Sequence, residues 1–171
     1  YGMTASDQPG IFVQIASYRD PECQQTISDL FHQAKYPDRI NVGLCWQYLE
    51  GEDPNLVQVD RPNQVRQLSI PVNLCKGCCW ARGQTQQLLK DEPFTLQIDS
   101  HMRFVKDWDV RIVNMLEKLR MQGVSKPILS HMPPGYDLNG VRDDWFPTGL
   151  RGKFDEHGIL VVKLLGKEPL N

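Results

Sequence analysis

Asp99, Ser100 and His101 directly follow a short apolar run, Phe94 to Ile98. In an extended chain, residues two apart project to the same side. Asp99 and His101 can therefore reach one point in space while Ser100 faces the other way. A carboxylate oxygen with an imidazole nitrogen suits a borderline divalent cation such as Mn²⁺ better than Ca²⁺, with Mg²⁺ as the alternative. A cation held there can bridge two phosphates and neutralise a departing diphosphate. Asp-x-His is also short and common, and the same residues fit a solvated strand end with a surface histidine. Earlier in the chain, Tyr18 can stack on a base and Arg19 can contact ribose or phosphate, or both can be solvated loop residues. A third cluster is Cys75-Lys76-Gly77-Cys78-Cys79. Its CxxC could bind zinc or do redox chemistry, but a zinc site needs a second ligand pair, and Cys23 and Cys45 stand alone. Free, buried or half-buried thiols are the simpler reading.

These residues need a frame. Ile11 to Ala16 is an apolar run with β-branched residues, the pattern of a buried strand. Ser17-Tyr18-Arg19 follows as a loop, and Asp20-Pro21 gives a helix start with Asp20 as N-cap and Pro21 at the first helical position. Ile27, Leu30, Phe31 and Ala34 share one helical face, and Pro37 ends the helix. Ile40, Val42 and Leu44 alternate as a second strand. Val65 to Val72 predicts a third strand, and Trp80 to Lys90 a helix. Phe94 to Ile98 reads as a central buried strand. Asp107 can cap a helix in which Trp108, Ile112, Met115, Leu116 and Leu119 share a face, with Gly123 as its stop. Pro127 to Ser130 is a strand candidate, His131 to Lys153 a long loop, and Gly158 to Leu165 a final strand. Strands and helices in this order predict an α/β fold with a mostly parallel sheet in one domain, residues 1–171. Ligands of such sheets sit at the carboxyl ends of the strands, which singles out Ser17 to Asp20 and Asp99 to His101.

Bulk properties narrow the function. The 171 residues carry 19 basic and 21 acidic side chains, a net charge of −2, and no basic stripe. That balance predicts no nucleic-acid partner. The apolar runs are too short to span a bilayer, and Tyr1 to Gly10 lacks the layout of a signal peptide, so the expectation is a cytoplasmic protein without a membrane partner. Five cysteines, an odd number, do not suit a fully paired secreted framework.

Gln97-Ile98-Asp99-Ser100-His101-Met102-Arg103-Phe104, preceded by Cys79-Trp80-Ala81-Arg82-Gly83, resembles the core of the N-acetylglucosaminyltransferases that modify hydroxyproline in cytoplasmic proteins. Ile11 to Cys23, with Thr26-Ile27 and Asp29-Leu30-Phe31 behind it, resembles the first strand and helix of that family, and Val42 to Gln47 its second strand. The likeness runs in order from about Ile11 to Leu165. It departs at Cys78, where the family carries a proline.

The resemblance implies a GT-A-type, Rossmann-like fold and a metal-dependent glycosyltransferase. It makes Asp99 and His101 metal ligands and puts Ser100 near the ribose. It sets Ala16, Ser17, Tyr18 and Arg19 around the uridine, with Arg82 near the nucleotide, helping to hold the metal loop. The same tripeptide holds the metal in the related polypeptide N-acetylgalactosaminyltransferases. The implied donor is a UDP-sugar, UDP-GlcNAc foremost, the acceptor a protein or glycan hydroxyl, and the outcome retention of configuration. The family continues beyond this chain's end with an acceptor-facing segment, so the expectation is a domain truncated on its acceptor side. His131 and His157 are the candidates for a third protein ligand. Two other functions remain open: an inert nucleotide-sugar-binding fragment, and a zinc or redox protein built on Cys75, Cys78 and Cys79.

Overall fold

The structure is a computed structural model that describes residues 9–55, 57–131, 133, 135–137, 140–141, 150–158 and 160–164. The chain gathers into two compact units, Tyr1–Pro127 and Ile128–Asn171. In the first, strands β1 (Ile11–Tyr18), β2 (Ile40–Tyr48), β3 (Val65–Pro71) and β4 (Phe94–Ile98) form one sheet in the order β3-β2-β1-β4. All three pairings are parallel. The helices are α1 (Cys23–Gln33), α2 (Cys78–Gln86) and α3 (Trp108–Met121). This is the α/β, Rossmann-like architecture that the strand–helix alternation predicts.

Side-chain alternation sorts the layers. Ile11, Val13 and Ile15 of β1 join Ile40, Val42, Leu44 and Trp46 of β2 in one core. Cys23, Ile27, Leu30 and Phe31 of α1 and Trp108 and Val113 of α3 complete it. Phe12 and Gln14 face the other way, where α2 packs on β1 and β2 with Ala81 and Thr85 fully buried. Phe12 lies so close to Gly43 that a β-carbon there would come within 2.3 Å of its ring. The second strand therefore needs glycine at that point for a packing reason.

Four local expectations are corrected. Strand β4 is not central: among the described residues it pairs only with β1, at the edge of the sheet. Thr95 and Gln97 are exposed between half-buried Phe94, Leu96 and Ile98, the period-two pattern of a strand with one covered face. Pro127 to Ser130 forms no strand. On α3 the inward face is Trp108, Asp109, Ile112 and Val113, whereas Met115 is exposed. A buried carboxylate takes the core position because it is fully used: Asp109 accepts the amides of Lys35 and Tyr36 and pairs with Arg39 at 3.0 Å. Finally, α1 begins at Cys23 with Glu22 at the N-cap, and Asp20 does not cap it.

The second unit contains short antiparallel pairs, β5 (Tyr136–Asp137) with β6 (Gly140–Val141), and β7 (Leu150–Phe154) with β8 (Leu160–Leu164). The expected long loop thus holds two small strands and the start of a third. Trp145 and Phe146, the aromatic pair of that loop, and Leu165 lie outside the described residues.

Candidate functional site

The carboxyl ends of β1 and β4 lie side by side, Ile15 opposite Ile98, so the loops after them meet. The chain after β4 is fastened to α1 by side chains of that helix. Thr26 donates its hydroxyl hydrogen to the Ser100 carbonyl at 2.7 Å and accepts the Met102 amide at 2.9 Å. Asp29 accepts the Phe104 amide at 2.6 Å, and Arg103 pairs with Glu22 at 2.6 Å. Trp108 closes the connection by donating its indole N–H to the Leu30 carbonyl and stacking, tilted, on Phe104.

Within this frame Ser100 is buried, while Asp99 and His101 on either side of it are exposed. Arg82 reaches across from α2 to Asp99 Oδ1 at 3.1 Å. His101 turns to Asp20: its Nδ1 lies 2.8 Å from Asp20 Oδ2, the same oxygen that accepts the Ser100 hydroxyl at 2.6 Å. Asp20 Oδ1 accepts the Glu22 amide at 3.0 Å. Partial burial opposes the charge on Asp20, but the hydrogen bonds from Ser100, His101 and the Glu22 amide outweigh it and hold the carboxyl below the ordinary carboxylate value.

The residues after β1 divide between two environments. Ala16 and Tyr18 line a hollow of about 180 Å³ together with Gln47, Cys75, Gly77 and Cys78. That is smaller than the ~300–1,000 Å³ of a drug-sized site and suits a single ring. Ser17 points away from it, fully buried. The Ser17 carbonyl accepts a hydrogen bond from the Gln47 side-chain Nε2 at 3.2 Å. Arg19 adopts a left-handed backbone, φ 49°, and its guanidinium is held by Asp53 at 2.7 Å and Glu52 at 2.6 Å. These contacts engage Nε and Nη2 of a guanidinium that carries five N–H donors in all. Arg19 and Asp20 also border a second cavity of about 430 Å³ beside Trp46 and Pro54.

The structure therefore brings Asp99, Arg82, Ser100 and His101 to one loop cluster and Ala16 and Tyr18 to a neighbouring hollow. Asp20 lies in the Ser17 to Asp20 stretch that the strand-end rule singles out, but its contacts to Ser100 and His101, and the place of Gln47 in the hollow, do not follow from sequence reasoning. The signal at Asp20 was read as helix capping, because Asp-Pro before a helix has that meaning more often than any other.

The donor set fits a divalent cation held jointly with a ligand. Asp99 supplies an exposed carboxylate, and His101, engaged through Nδ1, keeps Nε2 for coordination. Among the described residues no three His, Cys, Asp or Glu side chains gather closely enough to enclose a metal ion, so the remaining positions would fall to phosphate oxygens and water, as is usual for nucleotide-bound cations. Cys75, Cys78 and Cys79 do not form such a group either. His157 lies 3.6 Å from Glu156 in the second unit, as an exposed turn residue. No helix among the described residues is long and apolar enough to cross a membrane.

A family model described as "Glycosyltransferase (GlcNAc)" matches residues 10–61 and 57–160. No curated protein and no solved structure matches the chain.

Proposed function

Because the chain belongs to the glycosyltransferase (GlcNAc) family, we propose that it binds UDP-GlcNAc through a divalent cation at Asp99 and His101 and transfers the sugar, with retention, to a hydroxyl of a protein or glycan. The observation that carries this reading is the alternation at the end of β4, where Asp99 and His101 are exposed around buried Ser100 beside the end of β1. Strand ends of a parallel sheet are where such folds bind nucleotides.

Each group then has a role. Tyr18 and the hollow around it take the uracil ring. Arg82, already paired with Asp99, turns part of its charge to the diphosphate when the donor arrives. A bound Mn²⁺ or Mg²⁺ supplies Lewis-acid stabilisation of the charge that builds on the departing diphosphate. The bond from the anomeric carbon to the β-phosphate oxygen breaks, and the acceptor oxygen bonds to that carbon from the same face. The acceptor proton passes to the departing phosphate oxygen, so no side chain is required as a base.

The test is the anomeric configuration of the product. Incubated with UDP-GlcNAc, Mn²⁺ and a hydroxyproline peptide, the protein is expected to release UDP slowly, and any sugar it transfers is expected to be α-linked, read by NMR coupling constants. A β-linked product would overturn retention, and UDP release that ignores EDTA would overturn the metal.

A further inference from the structure

We propose that Asp20 is a positioning residue for the metal site: it fixes the tautomer and orientation of His101 so that Nε2 is the nitrogen offered to the cation. The proposal deepens the reading of Asp99 and His101 as ligands and rests on it.

Three observations carry it. First, the geometry is selective. Asp20 Oδ2 meets Nδ1 of the imidazole, not Nε2, at 2.8 Å. An ionised carboxylate only accepts hydrogen bonds, so Nδ1 must carry the proton, and the lone pair of the neutral ring is left on Nε2. Second, the two partners differ in exposure. The Asp20 side chain is 18% exposed and the His101 side chain 60%. A mostly exposed imidazole has little packing to hold it, so its orientation depends on the hydrogen bond to a better-buried partner. Third, Asp20 is itself fixed at three points, by the Ser100 hydroxyl, His101 and the Glu22 amide. It stands in the loop after β1, so it locks the loop after β4 from across the site. A carboxylate behind a ligating histidine orients the ring and raises its basicity, and loss of such a partner typically costs about 10–100-fold in metal affinity. Ordering the ring before the cation arrives removes that entropic cost from binding.

A role confined to loop structure would also explain the bond to Ser100, so the test reads the imidazole directly. Long-range ¹H–¹⁵N spectra of the metal-free protein, at a pH where His101 is neutral, are expected to show the Nδ1–H tautomer. In Asp20→Asn the amide can donate to Nδ1, and in Asp20→Ala nothing remains to accept from it, so in both the Nδ1–H population is expected to fall. Mn²⁺ affinity in the presence of UDP, measured by EPR on proteins whose melting curves remain cooperative, is expected to fall about 10–100-fold in both variants. An Nε2–H tautomer in the wild-type protein overturns the proposal even if neither variant folds. Unchanged Mn²⁺ affinity in the variants overturns it as well, while leaving Asp99 and His101 as ligands. Failure of the wild-type protein to bind Mn²⁺ with UDP overturns both readings together.

Discussion

The five thiols occupy environments that divide them by reactivity. Burial pushes the Cys23 thiol up to about 12 and Cys45 up to about 11. Cys75, half-buried, is raised by the same cause, while Cys78 and Cys79 are exposed. Since the thiolate is the nucleophile, iodoacetamide at neutral pH is expected to label Cys78 and Cys79 first and to leave Cys23 and Cys45 unmodified in the native protein. Peptide mass spectrometry checks this, and early labelling of Cys45 would contradict the packing of β2. At this scale the sequence indicates where the loops meet but not every contact within them. Asp99, Ser100 and His101 follow β4 with exposed, buried and exposed side chains, the order that alternation predicts, although the chain leaves the strand at Ile98 and bends at Ser100 and His101. Arg19 was less legible, because its partners Glu52 and Asp53 lie over 30 residues away, and no local pattern announces a pairing at that range. Asp20 was misread for the opposite reason, since a strong local signal pointed to a helix end.

The loop after β4 owes its shape to α1 more than to its own sequence. Thr26 is fully buried and serves both the Ser100 carbonyl and the Met102 amide. Removal of a buried partner of that kind costs about 1–3 kcal/mol. Thr26→Val, nearly isosteric, is therefore expected to lower the unfolding free energy by that amount and to weaken UDP binding in the presence of Mn²⁺, both measurable on one protein preparation. Loss of stability with unchanged nucleotide affinity would show that the staple does not set the site. The buried face of α1 and the first two strands follow from apolar spacing, so Ile27, Leu30, Phe31, Val42 and Leu44 fall where periodicity predicts. The edge position of β4 does not follow from its five residues alone, although Thr95 and Gln97 hint at it. Strand order is set by which crossover packs where, and that information is spread over the whole chain. Asp109 shows a similar limit: a carboxylate reads as a surface residue until the amides of Lys35 and Tyr36 are seen beside it.

Charge and ligand binding act on the whole molecule. Partial burial raises Glu92, but hydrogen bonds from Arg66 and the Lys90 amide hold it below 4.5. The Leu49 amide and Arg19 likewise hold Asp53 below 3.8 against partial desolvation. Carboxyls depressed in the folded state contribute stability above their unfolded values and lose it as the pH falls through their folded ones. The urea midpoint is therefore expected to change little from pH 7 to about pH 5 and to fall below about pH 4. Glu92→Gln is expected to blunt that fall, and an unchanged acid limb would deny Glu92 its share. The central claim, that Asp99 and His101 hold a cation that in turn holds a nucleotide, is tested most directly by thermal shift with UDP. A ligand that binds only the folded state stabilises it by about 2.7 kcal/mol at a hundredfold excess over its dissociation constant. With Mn²⁺ present, UDP is expected to raise the melting temperature of the wild-type protein, and EDTA or Asp99→Ala to remove most of that rise. An equal rise in EDTA, or in Asp99→Ala with Mn²⁺, would contradict the claim.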